Sequence, residues 1–516
     1  MLAFIAELND LELWGTDIGN AYLESYTKEK VYIHAGPEFG ERAGHFLIIR
    51  KALYGLKSSG LRWHERLADV LRDMEFFPSK AENDIWMKDC GDHYEYIAVY
   101  VDDLMIVSKN PQAIADLFVN KYKFKLKGTG QVKFHLGCDY YRDEAGCMCF
   151  APKKYINKCM DVYKRTFGES PRKYVTPLVK GDHPELDTSP LLDLEGIQVY
   201  QSLIGSLQWA VQLGRFDVGT ATMTMSRFRA APRVGHLDRV KRIFGYLRKF
   251  QHGVIRIRTE RPDYSNLEDR DYEWKYTSYA GAKEEVPSDA PPPKGKEVIS
   301  SHFVDANLMH DLISGKSLTG TVHFFNKTPI DWWTKLQSTV ETATFGSEYV
   351  AARTCTEQIT DLRLTLRYLG VPVNGPSYMF GDNKTVVDTA SIPHGKLQKR
   401  HNALSFHRTR FAIAAGILNF YHIPGKRNCA DILSKHWDFP SVWPMLRPML
   451  FHRGDTAELE LVDDDGKPFK EPKKDETLED AEVLKPDAKP VSLQEAVEMI
   501  SSEDQSSRKP SATDGA

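Results

Sequence analysis

With 516 residues, of which 41% are hydrophobic and 11% aromatic, the chain is long enough to form several domains with real hydrophobic cores. Its formal net charge of −3 hides an uneven distribution: 18 acidic and 8 basic residues between Asp455 and Ala516 give that segment −10 and leave +7 for the rest. These values exclude a wholly disordered chain. A mildly basic body is compatible with contact to phosphate backbones, although many enzymes carry the same charge.

The cysteines and the apolar segments narrow the class of protein further. Seven cysteines are scattered without a CxxC pair or a His/Cys cluster of zinc-like spacing, which favours reduced, buried thiols in an intracellular protein. No apolar run approaches the ~18 residues of a membrane span, and the N-terminus lacks the basic and apolar regions of a signal peptide. We therefore expect neither a membrane span nor a secretory signal.

The first 150 residues alternate short apolar strands with amphipathic helices. A strand is predicted before Asp17, and the segments VYIHAG and HFLIIR predict a pair of strands. Apolar residues recur at helical spacing from Leu61 to Met74, which predicts a helix. Two further apolar strands flank Asp102 and Asp103, so we interpret this stretch as a hairpin.

The rest of the chain has four blocks of different composition. Residues 178–257 are predicted to be mostly helical, and the proline-rich residues 258–300 indicate a linker or surface insertion. Residues 301–436 predict three strands followed by helix, strand, helix, strand and helix. From about residue 455 the composition is typical of disorder.

Asp17, Asp102 and Asp103 form a first acidic constellation at the ends of apolar strands. Adjacent carboxylates repel each other unless a cation lies between them. Three carboxylates at the ends of adjoining strands can hold two Mg²⁺ ions, an arrangement that suits in-line phosphoryl transfer. An exposed turn is the alternative, because Asp pairs are common in turns.

Tyr100-Val101-Asp102-Asp103 is similar to the YxDD box of reverse transcriptases, and the motifs around it resemble those of copia-type retrotransposons. The match extends over nearly everything up to residue 257, and the order of the motifs makes it specific. The supporting motifs are Asp17-Ile-Gly-Asn-Ala-Tyr-Leu23, VYIHAGPEFG, Leu53-Tyr54-Gly55-Leu56-Lys57 with Trp63, Phe124-Lys125-Leu126-Lys127, Leu136-Gly137, Thr176-Pro177-Leu178, Tyr200-Gln-Ser-Leu-Ile-Gly-Ser-Leu, and the His236 helix ending in Tyr246-Leu247.

The resemblance implies a polymerase active site in which the three aspartates bind two metal ions. It implies that Tyr22 is the steric gate under the deoxyribose that rejects a 2′-OH, with a core aromatic as the alternative. It also implies that Lys57, Trp63 and Tyr100 lie on the template and nucleotide side, although packing alone can explain Trp63.

A second acidic constellation consists of Asp305, Glu348, Asp382 and Asp431. Asp305 and Asp382 are predicted to end strands, Glu348 to lie on a helix, and Asp431 to start a final helix. Neighbouring strands with helices packed over them can again build a two-metal site. For any single carboxylate, surface solvation is the default expectation, so the order of residues and elements carries the prediction.

These residues resemble the ribonuclease H domain of copia-type elements, over about residues 301–436. The resemblance implies hydrolysis of the RNA strand of RNA–DNA hybrids by metal-activated water. The supporting motifs are Lys316-Ser317-Leu-Thr319-Gly320, Trp332-Trp333-Thr-Lys335-Leu-Gln337, Ser347-Glu348-Tyr349, Gly381-Asp382-Asn383, Lys399-Arg400-His401 and Ala430-Asp431-Ile432-Leu433-Ser434-Lys435.

The stretch LQKRHNALSFHRTRF is predicted to be a basic helix. It can hold the phosphates of a hybrid largely without reading bases, or it can be a solvated basic face. We interpret His422 as structural rather than catalytic. The basic residues of the stretch are Lys399, Arg400, His401, His407, Arg408 and Arg410.

Some features depart from the family pattern. Asn307 stands where an acidic residue is usual, Ser58 where Gln is common, and Gly346 inside the helix predicted around Glu348. The chain begins just before Asp17, so we expect the fingers, whose basic residues hold the incoming triphosphate, to be missing. Their loss endangers polymerase activity more than ribonuclease H activity.

We predict a multidomain protein of mixed α+β and α/β class. It has a right-hand polymerase palm with truncated fingers, a helical connection, a ribonuclease H-like mixed sheet flanked by helices, and a disordered acidic tail. The predicted boundaries are 1–178 for the truncated reverse transcriptase, 179–257 for a helical thumb or connection, 258–300 for a linker or insertion, 301–440 for the ribonuclease H-like domain, and 441–516 for an extension that is disordered from about residue 455.

The predicted function is that of an RNA-directed DNA polymerase with ribonuclease H. The predicted cofactor is Mg²⁺ or Mn²⁺, two ions per active site, and the predicted partners are RNA template, DNA primer, RNA–DNA hybrid, dNTPs and other element-encoded proteins. The family implies cytoplasmic particles and the nucleus as the location. The alternative is a truncated or co-opted nucleic-acid-binding fragment in which only ribonuclease H, or neither activity, survives.

Overall fold

The structure of the protein is a computed structural model that describes residues 1–270, 272–397 and 399–452. It divides into two compact units. The first contains Met1–Leu136, Pro287–Glu297 and Leu364–Pro372, and the second contains Gly137–Val286, Val298–Arg363 and the described residues from Val373 onward. The tail that the sequence predicts to be disordered lies outside the described residues.

An antiparallel sheet of six strands is the centre of the first unit. The elements of this unit are α1 (Leu2–Leu8), β1 (Glu12–Ile18), β2 (Tyr26–His34), β3 (Phe46–Lys51), α2 (Ser59–Asp73), β4 (Phe77–Pro78), β5 (Ile85–Asp89), β6 (Tyr94–Tyr100), β7 (Asp103–Ser108), α3 (Pro111–Asn120), β8 (Leu126–Gln131) and β9 (Phe134–His135). The strand order is β4-β5-β6-β7-β1-β8. Strands β2 and β3 pair separately as an antiparallel ribbon.

Helices α2 and α3 pack against this sheet. The helical spacing of the sequence places Trp63 and Leu67 of α2 in one buried cluster with Phe118 of α3 and Ile106 of β7. The strand before Asp17, the paired strands β2 and β3, the helix α2 and the hairpin β6–β7 are all present as the sequence predicts.

Two short segments from later in the chain complete the first unit. The Tyr96 hydroxyl donates to the Leu369 carbonyl at 2.7 Å, and the Tyr94 hydroxyl donates to the Pro292 carbonyl at 3.0 Å. These contacts were not predicted, because hydrogen bonds across 198 and 273 residues of chain leave no local pattern in the sequence.

The second unit contains two sheets and most of the helices. Its elements are β10 (Cys138–Arg142), β11 (Met148–Ala151), α4 (Lys153–Phe167), α5 (Leu194–Gln212), α6 (Gly219–Ser226), α7 (Val234–Lys249), β12 (Ile255–Arg256), β13 (Ser300–Asp311), β14 (Lys316–Phe325), β15 (Thr328–Leu336), α8 (Thr344–Tyr368, in this unit up to Arg363), β16 (Ser377–Gly381), α9 (Lys384–Ser391), α10 (Ala403–Ala414), β17 (Leu418–His422), α11 (Asp431–Ser434) and α12 (Phe439–Leu450). Strands β10, β11 and β12 pair antiparallel.

The larger sheet of this unit is mixed, in the order β15-β14-β13-β16-β17. Strands β13, β14 and β15 run antiparallel, whereas β13, β16 and β17 run parallel. Because successive side chains of a strand point to opposite faces, Phe303 and Phe380 enter one core and Val304 and Met379 enter another. Helices therefore flank both faces of the sheet, as the sequence predicts.

The helices predicted within residues 178–257 are present as α5, α6 and α7. Leu207 of α5 and Phe244 of α7 lie in the same buried cluster as Phe303 of the mixed sheet and Leu446 of α12. These helices thus share a core with the mixed sheet. Among the described residues, no helix combines the length and the apolar character that crossing a membrane requires.

Two predicted element boundaries were wrong. Asp305 does not end its strand, because a bulge between Asn307 and Asp311 lets β13 continue its pairing with β14. Asp431 does not start the final helix, because α11 has four residues and α12 follows it. Helix α12 was not predicted, because proline usually breaks a helix and Pro444 and Pro448 both lie inside this one.

Candidate active sites

The first acidic constellation is assembled by the pairing of β1 with β7. Asp17 lies directly opposite Asp103 in this register, and the Ile18 amide donates to the Asp102 carbonyl at 2.8 Å. Asp102 occupies the turn between β6 and β7, where Tyr100 pairs with Asp103. The three aspartates therefore meet at one edge of the antiparallel sheet.

The turn that carries Asp102 is held by a buried indole. Val101 has a φ of 60°, a left-handed conformation that is rare for a β-branched residue. The Trp63 indole N–H donates to the Val101 carbonyl at 2.6 Å, and Trp63 is itself buried in the core. Trp63 thus stabilises the turn from the core side, and this hydrogen bond together with core packing explains why the Trp63 side chain is buried here.

Two basic side chains that sequence reasoning missed lie beside the aspartates. Lys127 of β8 lies opposite Asp17, and Nδ1 of the buried His135 lies 3.1 Å from the Asp103 carboxylate. Burial raises the pKa of Asp17, as does the nearby charge of Asp102, while Lys127 opposes the shift. Lys127 ends the motif Phe124-Lys125-Leu126-Lys127, and His135 directly precedes Leu136-Gly137. Only the tertiary fold brings the two side chains to the carboxylates.

The predicted substrate-side residues have different surroundings. Tyr22 is half-buried, and its ring lies 4.6 Å from the ring of Tyr54, so it is available at the surface while packing against the core. Lys57 is exposed, and Tyr100 is 58% exposed. Contact of these three residues with a nucleotide stays a prediction.

The second constellation is built on the parallel pairing of β13 with β16. Phe303 lies opposite Phe380, so Asp305 of β13 and Asp382, the residue directly after β16, follow two residues later. Glu348 comes from the first turns of α8. One carboxylate oxygen from each of the three acidic residues lies within 4.8 Å of the others, which is close enough for a shared cation.

Helix α11 and the residue that follows it add three further side chains to this cluster. The Lys435 Nζ lies 2.6 Å from the Asp431 carboxylate and 3.2 Å from that of Asp305, and the Ser434 hydroxyl donates to Asp305. Helix α11 can come this close because position 320 is glycine: a Cβ there would lie 2.6 Å from the Leu433 carbonyl carbon.

The electrostatics of the cluster are those of crowded, buried carboxylates. Burial, followed by the charges of Asp305 and Asp382, raises the pKa of Glu348 well above its usual range. Burial and Asp305 raise the pKa of Asp382 and raise that of Asp431 to about 7. Burial alone would lower the pKa of Lys435, but Asp305 and Asp431 hold it above its usual range.

Both constellations offer carboxylate oxygens to a hard divalent cation, but among the described residues only the second brings one oxygen from each of three carboxylates within 4.8 Å of the others. Their donors are carboxylate oxygens, which Mg²⁺ and Mn²⁺ prefer. In the second cluster, burial and then the neighbouring carboxylates raise the pKa of two aspartates and a glutamate, and a bound cation would offset both effects by favouring the ionised forms.

The basic stretch after residue 398 is only partly helical and only partly exposed. Helix α10 begins at Ala403, and Lys399 and His401 contact Thr342 and Glu341 at 3.3 and 3.0 Å. Arg400 is exposed.

Two other basic residues, Arg410 and His422, differ in their exposure. For Arg410 neither a phosphate-contacting face nor a solvated face applies, because it is 2% exposed and donates to the carbonyls of Thr389, Ile392 and Pro393. His422 is exposed, and its Nε2 lies 3.1 Å from the Asp382 carbonyl, so it borders the second cluster.

The sequence of the first third of the chain matches a family model. Residues 1–179 match the model described as "Reverse transcriptase (RNA-dependent DNA polymerase)". The antiparallel sheet and the first acidic constellation lie within this match.

Curated relatives cover a longer part of the chain. The retrovirus-related Pol polyprotein from transposon RE1 of Arabidopsis thaliana is 24% identical over 81% of this chain and 26% of its own length. The corresponding protein from transposon TNT 1-94 of Nicotiana tabacum is 25% identical over 84% of this chain and 30% of its own length. A transposon Ty5-1 protein of Saccharomyces cerevisiae is 29% identical over 45% of this chain and 74% of its own length. The chain thus spans between a quarter and a third of the two plant polyproteins.

Solved ribonuclease H structures are similar to a smaller part. The N-terminal RNase H domain of Rv2228c from Mycobacterium tuberculosis has 18% sequence identity and a TM-score of 0.21, covering 27% of this chain and 91% of that chain. At this score the similarity carries no weight for function. The chain is similar in sequence to the Pol polyproteins of copia-type retrotransposons, and its first 179 residues match the reverse transcriptase family model.

Proposed function

We propose that the chain is an RNA-directed DNA polymerase joined to a ribonuclease H. One observation carries the proposal: each of the two large sheets brings together acidic residues that are far apart in the sequence. Asp17 and Asp103 are opposed on β1 and β7, and Asp305 of β13 clusters with Asp382, which directly follows the parallel strand β16, and with Glu348 of α8. Two separate acidic clusters are better explained by two phosphoryl-transfer activities than by a single activity.

In the polymerase site, Asp17, Asp102 and Asp103 are proposed to hold Mg²⁺ or Mn²⁺. A bound ion of this kind supplies charge neutralisation at the reacting phosphoryl group and a more acidic bound water or hydroxyl. The chain itself contributes orientation, because the hydrogen bond from Trp63 to Val101 fixes the turn that presents Asp102.

In the ribonuclease H site, Asp305, Glu348, Asp382 and Asp431 are proposed to be the metal ligands. Burial and the charge of Asp305 raise the pKa of the Asp431 carboxyl to about 7, and a cation bound there would favour its ionised form. Lys435 and Ser434 hold Asp305 in place through an ion pair and a hydrogen bond.

The proposed substrates are an RNA template with a DNA primer and dNTPs at the first site, and an RNA–DNA hybrid at the second. Tyr22, Lys57 and Tyr100 are proposed to contact the first set. Lys399, Arg400 and His401 are proposed to contact the hybrid through its phosphates, which would make binding fall with increasing salt.

The test is primer extension and hybrid cleavage by the purified chain with Mg²⁺. Asp103→Asn should reduce extension by on the order of a thousandfold and leave cleavage intact, since a metal site contributes several kcal/mol to catalysis. Asp382→Asn should do the reverse. Cleavage without extension would reduce the proposal to a ribonuclease H, and loss of both activities in well-folded protein would favour a nucleic-acid-binding fragment.

A further inference from the structure

A third cluster of metal-ligating side chains lies in the first unit, on the hairpin formed by β5 and β6. Cys90 and His93 are in its turn, and Glu95 is the second residue of β6. One ligating atom from each residue (the Cys90 sulfur, an imidazole nitrogen and a carboxylate oxygen) lies within 4.8 Å of the other two. None of the three belongs to the acidic constellations.

The turn is shaped so that these side chains converge. The Cys90 amide donates to the His93 carbonyl at 3.0 Å, which closes the loop. Gly91 has a φ of 90°, a conformation that favours glycine, and its amide donates to the Asp89 carboxylate at 2.8 Å. The convergence thus follows from the backbone of the turn.

His93 is the observation that points to a ligand. The residue is 8% exposed, and its Nδ1 lies 2.6 Å from the Asp92 carboxylate. Its Nε2 is buried and has no hydrogen-bond partner among the residues that the structure describes. A histidine whose one nitrogen is held by a carboxylate while the other is available has the arrangement that orients metal-bound imidazoles.

We propose that Cys90, His93 and Glu95 bind a transition-metal ion of the Zn²⁺ class, with a fourth position open to water. A thiolate, an imidazole and a carboxylate are the donors that Zn²⁺ takes, whereas Mg²⁺ prefers oxygen ligands alone. The site is therefore chemically distinct from the two carboxylate clusters.

Binding at this site requires one proton to leave. Burial and the neighbouring Glu95 raise the pKa of the Cys90 thiol to about 11, so the metal-free thiol is protonated at neutral pH. The metal–sulfur bond forms as the S–H bond breaks, and the proton passes to solvent. Affinity for the ion therefore increases with pH.

The site would tie the hairpin to the next strand. Glu95 accepts hydrogen bonds from the Ser108 hydroxyl and, at 3.3 Å, from the Lys109 amide at the end of β7. Because β6 and β7 are antiparallel, this is the end of the pair opposite to Tyr100 and Asp103. A metal clip here would stabilise the β6–β7 pair without taking part in catalysis.

The experiment is a Co²⁺ titration of the full chain under reducing conditions with Mg²⁺ in excess. A thiolate ligand gives a near-ultraviolet charge-transfer band, which carboxylate sites do not give. We expect one such site per chain, displaced by Zn²⁺. The band should disappear in Cys90→Ser and persist in Cys159→Ser. Cys159 is buried and belongs to none of the groups of possible metal ligands among the described residues.

Two additional variants keep the proposal open to refutation. Asp92→Asn should weaken Co²⁺ binding by about ten- to hundredfold, because it removes the partner that orients His93. If Cys90→Ser does not fold, His93→Gln, with folding checked by circular dichroism, should lose the band. Absence of a band in folded wild-type protein would overturn the proposal. So would a band that survives Cys90→Ser and is lost in Cys149→Ser, because ligating atoms of Cys149, Asp143 and His452 also lie within 4.8 Å of one another.

Discussion

At the residue scale, the position of Lys435 determines part of the charge balance of the second site. Its ammonium lies between Asp305 and Asp431, at distances of 3.2 and 2.6 Å, and so neutralises part of a carboxylate cluster. A divalent cation that binds the same carboxylates competes with this ion pair. Metal binding and the position of Lys435 are therefore coupled.

Replacing Lys435 by Met removes the charge and keeps most of the side-chain volume. We expect the metal-free protein to lose about 1–3 kcal/mol of unfolding free energy, because buried carboxylates lose a partner while the ammonium is itself partly exposed. Mg²⁺ should then raise the Tm of the variant more than that of the wild type. Thermal melts with and without Mg²⁺ measure this, with Lys396→Met, an exposed site, as the matched control. Equal Mg²⁺ shifts in all three proteins would contradict the coupling.

The raised pKa of Asp431 predicts a pH dependence of stability. The folded pKa is about 7, whereas an unfolded aspartate titrates near ~3.9, so the folded chain binds more protons between these values. Stability of the metal-free protein should therefore fall as the pH rises through this window. In EDTA, the fall in Tm between about pH 5 and about pH 8 should be smaller in Asp431→Asn than in wild type. An unchanged slope would mean that Asp431 is ionised throughout.

The clustering of the acidic residues could be predicted from the sequence, but their basic neighbours were missed. Asp17, Asp103 and Asp382 follow or end apolar runs, and that pattern is local. Lys435 is one helical turn after Asp431, a spacing that could have indicated the ion pair. His135 had no such signal, because only tertiary folding brings it to Asp103.

At the element scale, the approach of α11 to β14 depends on Gly320. This glycine lies opposite Asp305 in the β13–β14 pair, and a Cβ there would meet the backbone of α11 at 2.6 Å. Because that backbone belongs to the helix carrying Asp431 and Ser434, it cannot yield without moving both side chains. Adding a methyl group at position 320 therefore tests whether the site requires this close approach of α11.

Gly320→Ala should displace α11 and reduce hybrid cleavage at least about tenfold, with a stability loss of about 1–3 kcal/mol from overpacking. Primer extension should be unaffected. Gly205→Ala, within α5 where a Cβ meets open space, is the control and should keep full cleavage. Cleavage at the wild-type rate in Gly320→Ala would show that α11 need not approach this closely.

The elements that the sequence could predict have strong local patterns. Helix α2 has apolar residues at helical spacing, and the hairpin β6–β7 has two apolar runs that flank Asp102 and Asp103. The extension of β13 past Asp305 and the helix α12 were missed, because a bulge and internal prolines depend on packing partners that the local sequence does not contain. Pro444 and Pro448 are tolerated where Val442 and Leu446 are buried in the core.

At the scale of the whole molecule, the cores do not follow the blocks of composition. The helices predicted as a connection share one buried cluster with the mixed sheet, through Leu207, Phe244, Phe303 and Leu446. Residues 287–297 and 364–372 belong instead to the first unit. Composition changes along the chain, whereas a core gathers distant segments, so boundaries drawn from composition stay predictions to be tested by dissection.

A fragment of residues 301–452 should therefore fold poorly, although it contains all four acidic residues of the second site. Without α5–α7, it would expose Phe303, Val322 and Phe324, which at roughly 1.5–3 kcal/mol per buried side chain is a large part of a domain's net stability. A fragment of residues 137–452 retains these helices and should be soluble, melt cooperatively and cleave hybrids. Circular dichroism melts and cleavage assays on both fragments measure this. If the shorter fragment melts as cooperatively and cleaves as fast as the longer one, the shared core is dispensable, and ribonuclease H activity needs only the mixed sheet and its own helices.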